Sequence, residues 1–209
     1  MKKYLIVTAH PDDAEITMGG TIKKLTSEGH KVMTIIASIP TNNVEVRKSE
    51  AIRSADYLDM EVKFLDTSYP CTVEDYTMIG LITQLDKIIE DFQPDAIFTH
   101  SIDDSHQDHR IISQAVQACF RKYMCDVYNF EQTNQSNLIN SNRFIPDLYI
   151  DISEHFESKL NALRMHASQL AGYMVHYVSD IKKLAEWRGY QYGTKYAETF
   201  KTVFKKELL

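Results

Sequence analysis

The chain is short of cysteine, of positive charge and of long apolar runs, and each shortage removes a class of function. Three cysteines, Cys71, Cys119 and Cys125, are scattered through 209 residues with no Cys-x-x-Cys pair. Neither a disulfide framework nor a thiolate zinc site is indicated, and the expected compartment is the reducing cytoplasm. Lys and Arg number 23 against 29 Asp and Glu, for a net charge of −6. Nucleic acid is therefore not an expected partner, because non-specific binding needs a basic surface that displaces phosphate counterions. The opening MKKYLIVTAH reaches a histidine and two aspartates too soon for a signal peptide or a membrane span, so no integral membrane segment is expected. No G-x-G-x-x-G or G-x-x-x-x-G-K-[ST] stretch follows a predicted strand, which argues against a phosphate-gripping nucleotide module.

What is present is an alternation of strand and helix patterns. Residues 3–9, 31–39, 62–66 and 95–100 are β-branched apolar runs, whereas 16–29, 44–58 and 76–92 carry apolar residues at helical spacing. Helical spacing resumes at 111–123, strands are predicted at 126–130 and 147–152, and helices at 153–170 and 178–189, with TKYAETFKTVF closing the chain. The Asn-rich stretch 131–143 has no apolar period and is predicted to be a surface loop. This alternation predicts an α/β fold, a Rossmann-like three-layer domain with a mostly parallel sheet, spanning 1–209 as one domain.

Two polar clusters fall where such a sheet places ligands, at the carboxyl ends of its strands. His10, Pro11, Asp12 and Asp13 follow the first strand directly. An imidazole and a carboxylate three residues apart on a tight turn can reach one metal ion, leaving the adjacent carboxylate close but free; the plainer alternative is that Asp12 or Asp13 caps the next helix. The second cluster, HSIDDSHQDHR, packs three histidines and three aspartates into ten residues after the strand DAIFTH. Imidazoles with carboxylates suit a divalent ion such as zinc, and spare carboxylates can orient the rings. The plainer alternative is a solvated acidic loop, which two such loops on alternate strands of one sheet make a poor explanation.

AHPDDAEITMGGTIKKL and HQDHR together resemble the signatures of the PIG-L/LmbE family of zinc-dependent N-deacetylases, Ala-His-Pro-Asp-Asp-x-Glu followed by Gly-Gly, and His-x-Asp-His. RKSEAIRSADYLDM is similar to the family's Arg-x-x-Glu helix, and MHASQ and YAETF resemble its C-terminal segments. The resemblance implies that His10, Asp13 and His109 ligate zinc, with the fourth position open to water as in catalytic sites, although Fe2+ or another divalent ion fits the same donors. It implies Asp12 as general base, His106 facing the substrate carbonyl and protonating the leaving amine, Asp108 orienting the His106 ring, and Arg47 contacting the acyl group or a substrate carboxylate. The implied substrate is a small N-acetylated amino sugar or glycoside, and a homo-oligomer is compatible with the sequence.

Two rival readings are a non-haem Fe(II) enzyme using the same two-His, one-carboxylate set, and a non-catalytic sugar- or nucleotide-binding module. Glu15, Gly19 and Gly20 are expected to be structural, the glycines where helix and sheet approach closely. His100 is read as a polar core residue and His30 as a solvated turn, while His155 and His176 have no predicted partner. The tyrosines Tyr173, Tyr177, Tyr190 and Tyr192 are read by default as packing.

Overall fold

In the computed structural model, which describes residues 1–132, 144–170 and 176–206, all seven strands lie in one sheet ordered β3-β2-β1-β4-β5-β7-β6. The strands are β1 (Lys3–Thr8), β2 (Lys31–Ile36), β3 (Glu61–Phe64), β4 (Ala96–Thr99), β5 (Asp126–Phe130), β6 (Leu148–Asp151) and β7 (Ala197–Phe204). The pairs from β3 through β5 are parallel, and β7 runs antiparallel to both β5 and β6. The predicted mostly parallel α/β sheet is therefore present.

Alternation along the strands builds two cores. Leu5 and Val7 face one side of β1, where α3 (Met78–Phe92) and α4 (Gln107–Cys119) cover them with Leu81, Leu85, Ile89, Ile112 and Val116. Ile6 faces the other side, under α1 (Asp13–Ser27) and α2 (Val44–Leu58), with Met18, Ile22, Ala55 and Leu58. Successive side chains of a strand point to opposite faces, so a continuous apolar run is what a doubly covered strand requires. A third cluster joins α1 to α5 (Phe156–Arg164) and α7 (Tyr177–Tyr192) through Ile16, Phe156, Leu160 and Ile181.

Helix α1 is kinked at Met18, whose φ of −141° and ψ of 23° are non-helical. The kink frees backbone donors that buried Glu198 of β7 accepts, from Gly20 N–H at 3.0 Å and Thr21 N–H at 2.7 Å. Lys159 of α5, itself buried, pairs with the same carboxylate. The glycines have the expected packing role with different partners. A Cβ on Gly20 would stand 2.8 Å from Ile152, next to the end of β6, and one on Gly19 would stand 3.1 Å from Lys159 of α5.

Three predicted boundaries move. The closing segment contains strand β7, the helix expected over 153–170 is α5 followed by a short α6 (Ala167–Leu170), and α4 begins at Gln107, so the second polar cluster runs into a helix. The strands carrying the two clusters, β1 and β4, are adjacent rather than alternate. Most of the predicted 131–143 loop, and Tyr173, lie outside the described residues.

Candidate active site

The chain leaves β1 toward β2 on one side and places β4 on the other, so the crevice above β1 and β4 is the switch point at which open α/β sheets bind ligands. Both polar clusters meet there, around a cleft of about 310 Å³ lined by His10, Asp12, Asp13, Arg47, His106 and His109, with Pro40, Thr41, Gln132, Gln169 and Tyr177.

Asp13, the first residue of α1, anchors the turn: its Oδ2 accepts His10 N–H at 2.8 Å. That oxygen is 3.6 Å from His10 Nδ1, and Oδ1 is 3.5 Å from His109 Nε2. The far nitrogen of each imidazole is held by a carboxylate, His10 Nε2 by Asp108 at 3.0 Å and His109 Nδ1 by Asp104 at 2.9 Å. An ionised carboxylate only accepts, so those nitrogens carry a proton in either ring state, and loss of the second proton frees the nitrogens facing Asp13 for a cation. His109 Nε2 is buried without a hydrogen-bond partner. The two spacings come from different oxygens of Asp13, and it is the donor set, two imidazoles with a carboxylate and an unpartnered buried nitrogen, that fits a divalent ion such as zinc.

The donors within 4.8 Å of one another form two overlapping groups, His10 with His106 and His109, and Asp13 with His100 and His109. The trio expected from the sequence takes members of both. His100 is a poor ligand despite its position 3.3 Å from Asp13, because its Nε2 accepts Ala9 N–H at 3.0 Å. Complete burial together with the neighbouring His109 charge pushes its pKa down to about 4, so the ring is neutral and the contact with Asp13 is not an ion pair. It stacks on His109, centroids 3.8 Å apart, and His109 in turn stacks on His106 at 4.4 Å.

From the protein's own charges, burial works against the imidazolium of His10 and of His109. The carboxylates of Asp108 and Asp13 nonetheless raise His10 to about 10, and those of Asp13 and Asp104 raise His109 to about 9. Asp13 is held well below the usual carboxylate range despite its burial, mainly by His109. Asp104 and Asp108 are lowered too, against burial, by His109 and His10 respectively. The crevice thus strongly favours a positive charge, proton or metal, between these three side chains.

Asp12 occupies the N-cap position of α1, yet its side chain makes no capping bond. Its buried carboxylate turns to the cleft, where Arg47 Nη2 lies 3.3 Å from Oδ1. Arg47, in the first turn of α2, is itself buried and its Nη1 has no partner. The same face of α2 also supplies Glu50, which accepts Ser168 N–H at 2.8 Å and Ser168 Oγ at 2.6 Å, and Ser54, which donates to Glu15 Oε1 at 2.5 Å. His166 Nε2 reaches that same Glu15 oxygen at 3.4 Å. The helix thereby ties α1 to the segment that brings Gln169 to the cleft.

His106 is the N-cap of α4, and its Nδ1 accepts Asp108 N–H at 3.2 Å, which places the proton of the neutral ring on Nε2. Partial burial and the His109 and His10 charges lower its pKa. The expected carboxylate contact from Asp108 to this ring is absent: the Asp108 side chain serves His10, and only its backbone reaches His106. Asp104 is the site residue that the sequence reading left without a role; its position five residues before His109 was the available signal. Tyr190 and Tyr192 lie at the surface, outside the core, where Tyr190 stacks on Trp187 and Tyr192 on Tyr149, and Tyr177 lines the cleft.

The family model described as PIG-L, GlcNAc-PI de-N-acetylase, matches residues 5–120, which hold both clusters and all the residues just described up to His109. The chain belongs to the PIG-L family. It is 29% identical over 232 residues to the diacetylchitobiose deacetylase of Thermococcus kodakarensis, covering 97% of this chain and 84% of that protein. It is 25% identical over 190 residues to a probable N-acetyl-α-D-glucosaminyl L-malate deacetylase of Bacillus cereus, covering 80% of this chain and 84% of that one. Among solved structures, the N,N'-diacetylchitobiose deacetylase of Pyrococcus horikoshii superposes with a TM-score of 0.76 at 24% identity, over 97% of this chain and 84% of that one. A 4-carboxy-2-hydroxymuconate hydratase from Pseudomonas putida superposes with a TM-score of 0.82 at 21% identity, over 100% and 99%. The second likeness shows that this PIG-L chain shares its fold with an enzyme of different chemistry, so the reaction must be argued from the site. Among the described residues no helix is long and apolar enough to cross a membrane.

Proposed function

We propose that the protein is a zinc-dependent N-deacetylase that hydrolyses the acetamide of an amino sugar or glycoside. The observation that carries this reading is the pairing of a two-His, one-Asp donor set with an adjacent carboxylate, Asp12, which sits at a helix N-cap without capping it. His10, Asp13 and His109 would hold the ion. A zinc ion held there would supply a Lewis acid for the amide carbonyl and would lower the pKa of water toward about 7.

Asp12 is the general base: it takes the proton of the attacking water, and Arg47 beside it fixes the carboxylate toward the cleft. His106 offers a neutral Nε2–H to the oxygen that becomes negative as the carbonyl carbon turns tetrahedral. Nδ1 of His106 is occupied by Asp108 N–H, so the ring's remaining N–H, on Nε2, is the group assigned to the oxyanion. The proton received by Asp12 is then the one delivered to the leaving amine. Asp108 acts on His10 and Asp104 on His109, each fixing a ring tautomer. Arg47, which lines the cleft, would contact the acyl group or a substrate carboxylate.

The test is to incubate the zinc-loaded protein with a panel of N-acetylated sugars, glycosides and sugar nucleotides and to detect free amine together with acetate. Equal release of both from at least one amino sugar is expected. Release from none, with consumption of oxygen in the presence of a 2-oxo acid or hydration of an unsaturated acid instead, would replace the reading.

A further inference from the structure

The catalytic cleft does not end at the sheet's switch point. Pro40 and Thr41, which wall it on the β2 side, also wall a second groove of about 430 Å³ that continues along the carboxyl ends of β2 and β3. The other lining residues that matter are Asn42, Pro70, Thr72 and Asp75. We infer that this groove is a second subsite, resting on the deacetylase reading, which takes a neutral, hydroxyl-rich unit joined to the acetamido sugar, and that Asp75 makes it selective for such a unit over an anionic one.

The groove is built rather than incidental. An isolated bridge joins Ile39 to Cys71, with Cys71 N–H donating to Ile39 O at 3.2 Å, so the two walls are fastened together beneath the opening. Tyr76 Oη donates to Ala37 O at 2.8 Å, pinning the end of the second wall to the strand that leads into the first. Asp75 is fixed as well: its Oδ2 accepts Thr72 N–H at 2.7 Å and Thr72 Oγ1–H at 3.1 Å in a capping box. Both bonds fall on one oxygen, which leaves Oδ1 as an acceptor for a ligand hydroxyl.

The chemistry of the lining sorts ligands by charge. Asn42, Thr41 and Thr72 donate and accept, Pro40 and Pro70 offer apolar ring faces, and Asp75 is the charged side chain in the wall. No Lys, Arg or His is among the lining residues; Lys48 Nζ of α2 lies 4.4 Å from the centre of the ring of Tyr69, the residue before the lining Pro70. A carboxylate that accepts from a sugar hydroxyl gains a charge-assisted bond, whereas an anionic group beside it meets like charge.

The experiment compares steady-state deacetylation of N-acetylglucosamine, N,N'-diacetylchitobiose and an N-acetylglucosaminide of a dicarboxylic hydroxy acid by wild type, Asp75→Asn and Asp75→Lys, alongside calorimetric binding of the same three compounds. Asp75 is exposed, so both variants are expected to fold, which thermal melting checks. In wild type kcat/KM should be highest for the disaccharide. Asp75→Asn should lower that value about tenfold while leaving N-acetylglucosamine within twofold, and Asp75→Lys should shift preference toward the dicarboxylate glycoside. Turnover of all three with no dependence on residue 75, or equal losses on the monosaccharide and disaccharide, would overturn the subsite and leave the deacetylase reading standing. If nothing is hydrolysed, disaccharide binding that weakens in Asp75→Asn still supports the subsite and places the failure in the proposed chemistry, whereas no binding overturns the subsite too.

Discussion

Loading the metal-free protein with zinc at pH 7 should expel about two protons. His10 and His109 are raised to about 10 and about 9 by the carboxylates around them, so at pH 7 both rings are predominantly protonated. Both must surrender the proton facing Asp13 to ligate an ion, whereas Asp13, held well below the usual carboxylate range, has none to give. The release should fall toward one proton as the pH passes about 9 and vanish beyond about 10. Calorimetric zinc titrations in buffers of different ionisation enthalpy give the number directly. The same shifts set the sign for stability without metal. The folded pKa values exceed the unfolded value of about 6.5, so this contribution is complete below about 6.5 and is lost as pH rises through 9 to 10. The metal-free protein should therefore lose stability between pH 7 and 10 while apparent zinc affinity rises over that interval. Release of less than about one proton at pH 7, or a metal-free melting temperature that climbs toward pH 10, would refute this account of the crevice.

Adjacent aspartates should fail differently. Asp13→Asn should lose both bound zinc and turnover, whereas Asp12→Asn should keep near-normal zinc and lose about 10²–10⁴ in kcat, as read by elemental analysis and acetate release on the same samples. Zinc lost from Asp12→Asn and kept by Asp13→Asn would exchange the two roles. Glu198→Ala strips buried Lys159 of its partner and Gly20 and Thr21 of their acceptor, and should cost about 3–5 kcal/mol in urea unfolding. A loss below about 1 kcal/mol would mean that the α1 kink holds itself.

The sheet was legible because its buried strands are continuous apolar runs, and β1, β2 and β4 sit within a residue or two of their predicted starts. Strand β7 was not, because its positions 198 and 199 are polar yet buried, Glu198 serving Lys159 and the kinked helix and so breaking the apolar pattern. The start of α4 was hidden for the same kind of reason. Its first turn spends Asp108 and His109 on the site and has no apolar period to read. The residue types of the site could be read from two short motifs, since one strand end fixes each motif. Which carboxylate serves which imidazole could not: Asp108 meets His10 across 98 positions of chain, a pairing that only the adjacency of β1 and β4 creates.

Zinc-dependent amide hydrolysis is decided by chelation and repletion on one sample, following bound metal by elemental analysis and acetate and free amine from N,N'-diacetylchitobiose. About one zinc per chain is expected in the active protein, with loss of product formation as that zinc is removed and recovery in proportion to zinc returned. Undiminished amide hydrolysis after complete metal removal would contradict it.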